Sequence, residues 1–512
     1  MFGEIRKIVF NDEIILWWDR FEYENGKPVF EVALAGGEKI VTDKTHAEFT
    51  GLKGNTEYNV TITAKNNAGD ILDEKSFIVL TSDDKKILDV TKPPYNAVKG
   101  GKVINTEAIQ RAIDDCDEKS LVYVPEGEFL TGALFLKDNV QLYVAKGGVL
   151  KGTSDIKDYT PKIKSRFEGL EMECFASLIN AGNLDAYGAP NCKNIVIRGG
   201  GVISGGGNEL CKNTIDYENE RLKDYIKSLG DEIKTYENEE TIPGRARGRL
   251  VNLSNCENVV VSGVTLENAP SWNMHMIYCD NIVTCGCTFR SFGIHNGDGW
   301  DPDSSENCTA FNCVFDTGDD CVAIKSGKNP EGNVINRPCK NIRLFDLKAV
   351  SGHAVAIGSE MSGGIENVFI WDCDLKNTVF GLHIKGTKKR GGYIKNIYMY
   401  DTVLPCVIAR SVTYNDDGAS GPNPPDFSNF LFDNVVITGV CKNFKKEIEV
   451  RIPMLLTGFG DDYPINDVKF KNVTVLSQPN DVAVMQMKHA TGLSFENFKV
   501  CEYGKYFKDS DK

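Results

Sequence analysis

The chain has 512 residues, 41% hydrophobic, 10% aromatic and 25% charged, enough apolar matter for packed cores, which excludes wholesale disorder. Its 49 glycines follow no three-residue period, so collagen is excluded, and no apolar run approaches the roughly 20 residues of a membrane span. The formal net charge of −14 excludes a nucleic-acid binder, which needs a basic face, and obliges any polyanionic partner to be met by local cations.

At the N-terminus, Glu4, Asp12 and Glu13 interrupt the apolar residues, and no hydrophobic stretch leads to a small-residue cleavage site. The expectation is a cytoplasmic protein, or a secreted or periplasmic one if the N-terminus is trimmed. The sixteen cysteines are then reduced thiols. No Cys-x-x-Cys pair exists, so no structural zinc is expected. Residues 1–83 carry short alternating segments, at Glu13–Trp18, Pro28–Leu34, Lys39–Val41, Ala47–Phe49, Tyr58–Asn66 and Ser76–Thr81, bounded by Gly, Asn and Asp. That pattern predicts a β-sandwich of about seven strands. The run from Phe49 through Gly51, Leu52, Tyr58 and Ile62 resembles a fibronectin type III domain. The resemblance implies Leu52 as a core plug, Tyr58 as the tyrosine corner, and Trp17 or Trp18 as the core tryptophan. Such a domain reads as a spacer or packing module, with direct sugar binding as the other reading. Ser82–Ile87 is a short charged linker.

The texture changes from residue 88 onward. Asn105–Ile113 predicts a helix, capped by Asn105 or Thr106, with Ala108, Ile109, Ala112 and Ile113 on one face. Short strands follow at Leu121–Val124, Ala133–Leu136, Val140–Val144 and Val149–Lys151. Then one phrase recurs: Asn, apolar, any residue, apolar, turn. It begins at Asn194, Asn258, Asn281, Asn341, Asn367, Asn396 and Asn429, with degenerate copies near Asp467 and Gly492. A period in the twenties with one short strand per turn means a solenoid over residues 88–512. Its turn asparagines are placed to stack as amide ladders, and Cys192, Cys256, Cys279 and Cys339, which precede the phrase, to stack as buried thiols. Within the segment 208–247, the charged stretch Tyr217–Glu240 breaks the repeat. Its Leu222, Tyr225, Ile226, Leu229 and Ile233 predict an inserted helix.

Four of the six histidines, His275, His295, His353 and His383, share a window with recurring acidic clusters. These are Asn296-Gly297-Asp298 running into Asp301 and Asp303, Asp319-Asp320, Gly352-His353-Ala354 running to Glu360, and His383-Ile384-Lys385. Rungs about 4.8 Å apart bring equivalent positions onto one face. Opposed carboxylates, one protonating a leaving oxygen and one activating water, are what glycoside hydrolysis requires. Crowding Asp319 against Asp320 splits their acidities. Asp298, Asp301 and Asp303 also mimic a calcium loop, although Pro302 and the lack of a downstream Glu argue against it.

With Val122–Gly127, Pro270–His275, the Asp-Pro-Asp-Ser run and Gly358–Gly364 added, residues 88–500 resemble the family 28 glycoside hydrolases, the polygalacturonase family. They look most like bacterial exo-acting members, some of which carry a fibronectin-like N-terminal domain. The resemblance implies an all-β architecture: a right-handed parallel β-helix preceded by the small sandwich. It implies Asp319 as general acid, Asp298 and Asp320 activating water with inversion, His353 tuning the acid, and Lys385 gripping a uronate carboxylate. Asn296, Glu360, His383 and Arg249 join Lys385 as candidate substrate-binding residues. No metal or organic cofactor is implied, and the partner is a pectic poly- or oligosaccharide cut at α-1,4-galacturonosyl links, from an end. Three residues depart from the family pattern. Gly297 replaces Thr, Ala354 replaces Gly, and His383 replaces an Arg whose fork would hold a carboxylate. Lys388, Lys389 and Arg390, or the alternating Arg245, Arg247 and Arg249, are the candidate compensators. The alternatives are a hydrolase of another pectic linkage, such as rhamnose-containing galacturonan, a lyase on a similar solenoid, or a non-catalytic glycan-binding solenoid.

Overall fold

The computed structural model describes residues 1–23, 26–235, 247–414, 418–444, 446–480, 482–504 and 506. The chain forms two compact units, Met1–Ile87 and Leu88–Lys512.

The N-terminal unit has two antiparallel sheets. Ile5–Val9, Glu13–Trp18 and His46–Thr50 form one, and Lys39–Thr42, Val29–Leu34, Glu57–Lys65 and Ile71–Leu80 form the other. Strict alternation in Val29–Leu34 sends Phe30, Val32 and Leu34 inward. There they meet Trp18, Phe49, Val60 and Ile62 in one core. Trp18, not Trp17, belongs to that core, and Leu52 packs on its edge. The Tyr58 hydroxyl accepts the Lys53 backbone N–H at 2.9 Å, the tyrosine-corner bond.

The second unit is a parallel β-helix. Its long sheet stacks strand on strand in sequence order, and a second sheet runs through Leu134–Leu136, Ile179–Ala181, Val251–Ser254, Met274–Ile277, Trp300–Asp303, Val322–Ile324, Val355–Ile357, Leu382–Gly386, Val407–Ser411, Met454–Thr457 and Met485–Lys488. The helix Thr106–Asp115 buries Ile109, Ala112 and Ile113. Its Gln110 closes both hydrogen bonds with the backbone of Phe135 on the first strand of the second sheet, covering an edge that would otherwise invite pairing. Asn105 is the residue before the helix but does not cap it. Its carboxamide binds the backbone of Val98 and Val103 instead.

The recurring asparagines sit in the left-handed region, with φ from 54° to 60° at Asn194, Asn258, Asn281, Asn307, Asn341, Asn367, Asn396 and Asn429. Asparagine tolerates this conformation better than most residues. Each carboxamide then donates to the one on the rung before: Asn281 to Asn258 at 2.8 Å, Asn341 to Asn307 at 3.1 Å, Asn367 to Asn341 at 3.1 Å, Asn396 to Asn367 at 2.9 Å. Asn307 is the rung absent from the sequence pattern, and it bonds to Asp280. Inside, Cys192 pairs in register with Cys256, whose N–H meets the Cys279 sulfur at 3.5 Å. The sixteen cysteines are all free thiols, and fifteen of them are buried. Aromatic side chains stack the same way, Phe311 on Phe345 at 4.8 Å and Phe345 on Trp371 at 4.3 Å.

The insertion starts earlier than the apolar spacing implied. Gly207–Arg221 is a helix burying Leu210, Cys211, Thr214, Ile215 and Glu218, followed by Lys223–Leu229, which buries none of its side chains. Residues 236–240 of the expected helix lie outside the described residues, as does Arg245.

Candidate active site

The rung register assembles the site. Trp300 pairs with Val322, and Val322 with Val355. Asp298, Asp320 and His353 each stand two residues ahead of these strands and therefore fall on consecutive rungs. The turns are packed tightly. His353 donates its backbone N–H to the Asp319 carbonyl at 3.0 Å. This approach requires Gly352, whose φ is +96° and whose Cβ, if present, would lie 2.5 Å from that carbonyl oxygen. Gly297 is equally forced, because a Cβ there would sit 2.8 Å from the Ser291 oxygen and 2.9 Å from that of Ile294. The threonine of the family pattern does not fit this turn. Ala354 takes φ +58°, a left-handed conformation that costs an alanine about 1 kcal/mol.

A cavity of about 890 Å³ is lined by Asp298, Asp319, Asp320, His353, Glu360, Asn296, His383 and Lys385, with Trp272, Lys325, Lys328, Arg390, Arg410 and Tyr414. A second, of about 300 Å³, shares His295, Asn296, Asp319 and His353 with it and extends past Phe292 and Phe444. Asp319 and His353 thus stand between two spaces.

The three carboxylates differ in surroundings. The Asp319 side chain is 26% exposed and those of Asp298 and Asp320 are 4–5% exposed. The His353 Nδ1 lies 3.0 Å from Asp319 and 3.3 Å from Asp320. Burial opposes charge on this imidazole, but the two carboxylates outweigh it and raise its pKa to about 10. Asp320 also has the Lys385 Nζ at 3.3 Å. Against its burial, Lys385 and His353 hold its pKa well below the usual carboxylate range. The Lys325 Nζ sits 3.4 Å from Asp298 and 3.8 Å from Asp301. Burial and the mutual repulsion of these two acids push Asp298 far up and Asp301 to about 8. One lysine balances one carboxylate, so the pair retains a proton. The Asp298 Oδ1 is buried with no partner among the described residues while its side chain lines the cavity, which suits it to hold a water.

The remaining candidates divide. Glu360 lines the cavity, and Lys325, Arg390 and Lys385 keep it ionised despite burial. The Asn296 side-chain Oδ1 accepts a hydrogen bond from the buried Arg247. His383 faces the cavity, 4.4 Å from the Phe380 ring, with neither ring nitrogen partnered. Burial and then Lys385 lower its pKa to about 3, so it is a neutral imidazole. Arg249 does not reach the cavity surface. It is fully buried against Phe167 and Trp272 at 5.0 and 5.1 Å and donates to the Arg247 carbonyl. The alternation of Arg245, Arg247 and Arg249 predicted a common direction. Arg249 instead precedes the strand Val251–Ser254, and its flat guanidinium lies over two aromatic faces, with Nε and one terminal nitrogen lacking a hydrogen-bond partner among the described residues. Lys388 and Lys389 are exposed away from the lining, whereas Arg390 does line it. Asp303 is no cation ligand. It is buried, 2.6 Å from Arg166 and 3.3 Å from His275.

Lys325, Arg410 and Tyr414 received no role from the sequence, and Asp301 only that of a calcium-loop mimic. A signal for two of them was present. Lys325, Lys385 and Arg410 each follow a three-residue strand segment, Val322–Ile324, Leu382–Ile384 and Val407–Ala409, and the last two pair in register. A cation recurring at the strand end marks a charged column. Among the described residues, one group, Asp319, Asp320 and His353, brings metal-ligating atoms within 4.8 Å of one another.

The comparisons with known proteins identify the family. The model of the family described as glycosyl hydrolases family 28 matches residues 137–491. The exo-poly-alpha-D-galacturonosidase of Dickeya chrysanthemi is 28% identical over 418 residues, 77% of this chain and 69% of its own. The endo-polygalacturonase of Pectobacterium parmentieri is 27% identical over 406 residues, 76% and 93% of the two chains. Among solved structures, the family 28 exopolygalacturonase of Yersinia enterocolitica superposes with a TM-score of 0.80 at 23% identity, covering 98% of both chains. The exopolygalacturonase of Thermotoga maritima gives 0.68 at 28% identity, covering 81% of this chain and 92% of its own. A family match across most of the chain, on a β-helix carrying these acids, makes the protein a member of the glycosyl hydrolases of family 28, a polygalacturonase-like hydrolase.

Proposed function

We propose that the protein hydrolyses α-1,4-galacturonosyl links of pectic chains or oligogalacturonides, from an end, with inversion. The observation that carries this reading is the environment of the three carboxylates. Asp319 is the accessible one and borders both cavities, so it is placed to protonate the glycosidic oxygen between two sugar residues. Asp320 is kept ionised by Lys385 and His353, and Asp298 has an unpartnered oxygen. Asp298 holds the attacking water, and the ionised Asp320 takes its proton. His353 fixes the Asp319 carboxyl from 3.0 Å. End-wise attack is supported by the exo-acting relatives at 28% identity.

The test is product analysis on oligogalacturonides of defined length. Saturated monomer or dimer from the first time point, lost in Asp319→Asn, is expected. A ladder of mid-length products refutes the end-wise claim, and an ultraviolet-absorbing unsaturated product refutes hydrolysis in favour of a lyase. A second reading, cleavage of a different pectic linkage, is favoured by the neutral His383 where the family pattern has an arginine. Release of product from a rhamnose-containing oligomer, but not from oligogalacturonate, would select it.

A further inference from the structure

The arginine missing at position 383 leaves the uronate without a planar fork on that strand. Three cations stand at strand ends along the second sheet and line the large cavity: Lys325, Lys385 and Arg410. Two of them are engaged by the protein's own acids. Lys325 lies between Asp298 and Asp301, and Lys385 is 3.3 Å from Asp320. Arg410 is different. It is half-buried, its Nε is buried, and no protein acceptor meets its guanidinium among the described residues. It pairs in register with Lys385, so the two cations stand on adjacent rungs, and His383 pairs likewise with Ile408 two residues before it. The imidazole of His383 lies within the electrostatic reach of both Lys385 and Arg410.

We propose that Arg410 is the residue that binds the substrate's carboxylate, taking over one rung along the column the role of the arginine absent at position 383. The half-buried Arg410 lines the cavity with no acceptor among the described residues, which leaves its terminal guanidinium nitrogens to a ligand there. A planar carboxylate is the group that meets it with two parallel bonds. His383, uncharged and with both ring nitrogens unpartnered, then serves a sugar hydroxyl rather than the acid. Lys385 stays with Asp320 and contributes its field. This division separates two tasks that a single arginine and lysine would share: holding the water-activating acid ionised, and recognising the uronate.

The inference rests on the proposed hydrolysis of galacturonosyl links, and the experiment separates the two. Wild type, Arg410→Gln and Arg410→Lys are compared on trigalacturonate by initial rates, with circular dichroism as the check on folding. Expected is a roughly 10- to 100-fold rise in KM for Arg410→Gln, the worth of a charged hydrogen-bonded contact. Its kcat should stay within a fewfold of wild type, because the contact is made equally in ground and transition states. Arg410→Lys, which keeps the charge and loses the fork, should lie between. A KM within twofold of wild type in both variants overturns the assignment. So does a fall in kcat with KM unchanged, which marks a structural role. If Arg410→Gln fails to fold, the KM of Arg410→Lys decides alone. Wild type releasing no product from trigalacturonate refutes the functional reading itself, whatever Arg410 does.

Discussion

Asp301 offers a sharp test of the electrostatics, because it is buried, lies 3.8 Å from Lys325, and neither of its oxygens accepts a hydrogen bond among the described residues. Burial, with the neighbouring acids, raises its pKa from 3.8 to about 8 against the pull of Lys325. The folded carboxyl therefore keeps its proton over a range where the unfolded one has lost it. Each pH unit in that range costs about 1.4 kcal/mol of stability. The cost is absent below pH 3.8, grows between the two pKa values, and levels off above about pH 8. At pH 7, some three units above the unfolded value, it amounts to about 4 kcal/mol. Asp301→Asn keeps the shape of the protonated acid and removes the proton linkage, while Lys325 retains Asp298 at 3.4 Å. Urea denaturation of wild type and variant, followed by circular dichroism at a series of pH values, should give equal stabilities near pH 4. The variant should pull ahead progressively toward pH 8. The acidic limb of kcat/KM should move down as well, since Asp298 loses the partner that holds its proton. A stability difference that does not vary with pH, or a variant less stable than wild type at pH 7, would refute the shared-proton account.

The other two perturbations address the imidazole and the scaffold. His353 has its pKa raised to about 10 by Asp319 and Asp320 against its burial. Its contribution to stability is therefore fully present below the unfolded value of 6.5 and is lost as pH rises through about 10. His353→Gln should abolish that alkaline transition in a pH-resolved melt and lower kcat about 100-fold by loosening Asp319; a transition that persists in the variant belongs to another group. Asn281→Ala removes a 2.8 Å ladder bond and places alanine at φ 55°. Together these should cost about 2 kcal/mol of stability, read by denaturation, with KM and kcat unchanged because the residue is exposed on the long sheet. An altered KM would mean that the ladder is coupled to the cavity.

The scaffold was legible in the sequence where one residue type has one physical use. The asparagine phrase revealed the rungs because few residues other than glycine rest at φ near 58°, and the same phrase dictates the amide ladder. The acidic clusters were legible because rung register turns equal offsets from a strand into neighbours in space. Arg249 misled because alternation was read as strand geometry in a segment that precedes the strand. The insertion was misplaced because its buried face mixes Leu210, Cys211, Thr214, Ile215 and Glu218. That stripe is too polar to stand out beside the cleaner but half-buried one from Leu222 to Ile233. Lys325 went unassigned since a lone lysine after an apolar run reads as the end of a strand. Only its repetition at Lys385 and Arg410 shows a column, and repetition of one residue in three rungs is a weak signal when the intervening rung carries Gly358.

The net charge of −14 says little about how an anionic sugar is received, because the large cavity carries its own balance. Its lining holds five carboxylates, those of Glu168, Asp298, Asp319, Asp320 and Glu360, against five fixed cations, Lys325, Lys328, Lys385, Arg390 and Arg410. His353, charged below about pH 10, adds a sixth. The proton retained between Asp298 and Asp301 leaves that pair with one negative charge beside Lys325, so the charged His353 tips the balance toward the positive inside an acidic protein. The low dielectric of a buried wall makes that local excess count for more than distant surface charge, which salt screens within about 8 Å. Lys325 and Lys385 stand against Asp298, Asp301 and Asp320, and the column continues one rung further to the Arg410 guanidinium, which meets no acid among the described residues. The scaffold thus supplies cations in register, and the acids beside the first two leave Arg410 as the one proposed for the substrate.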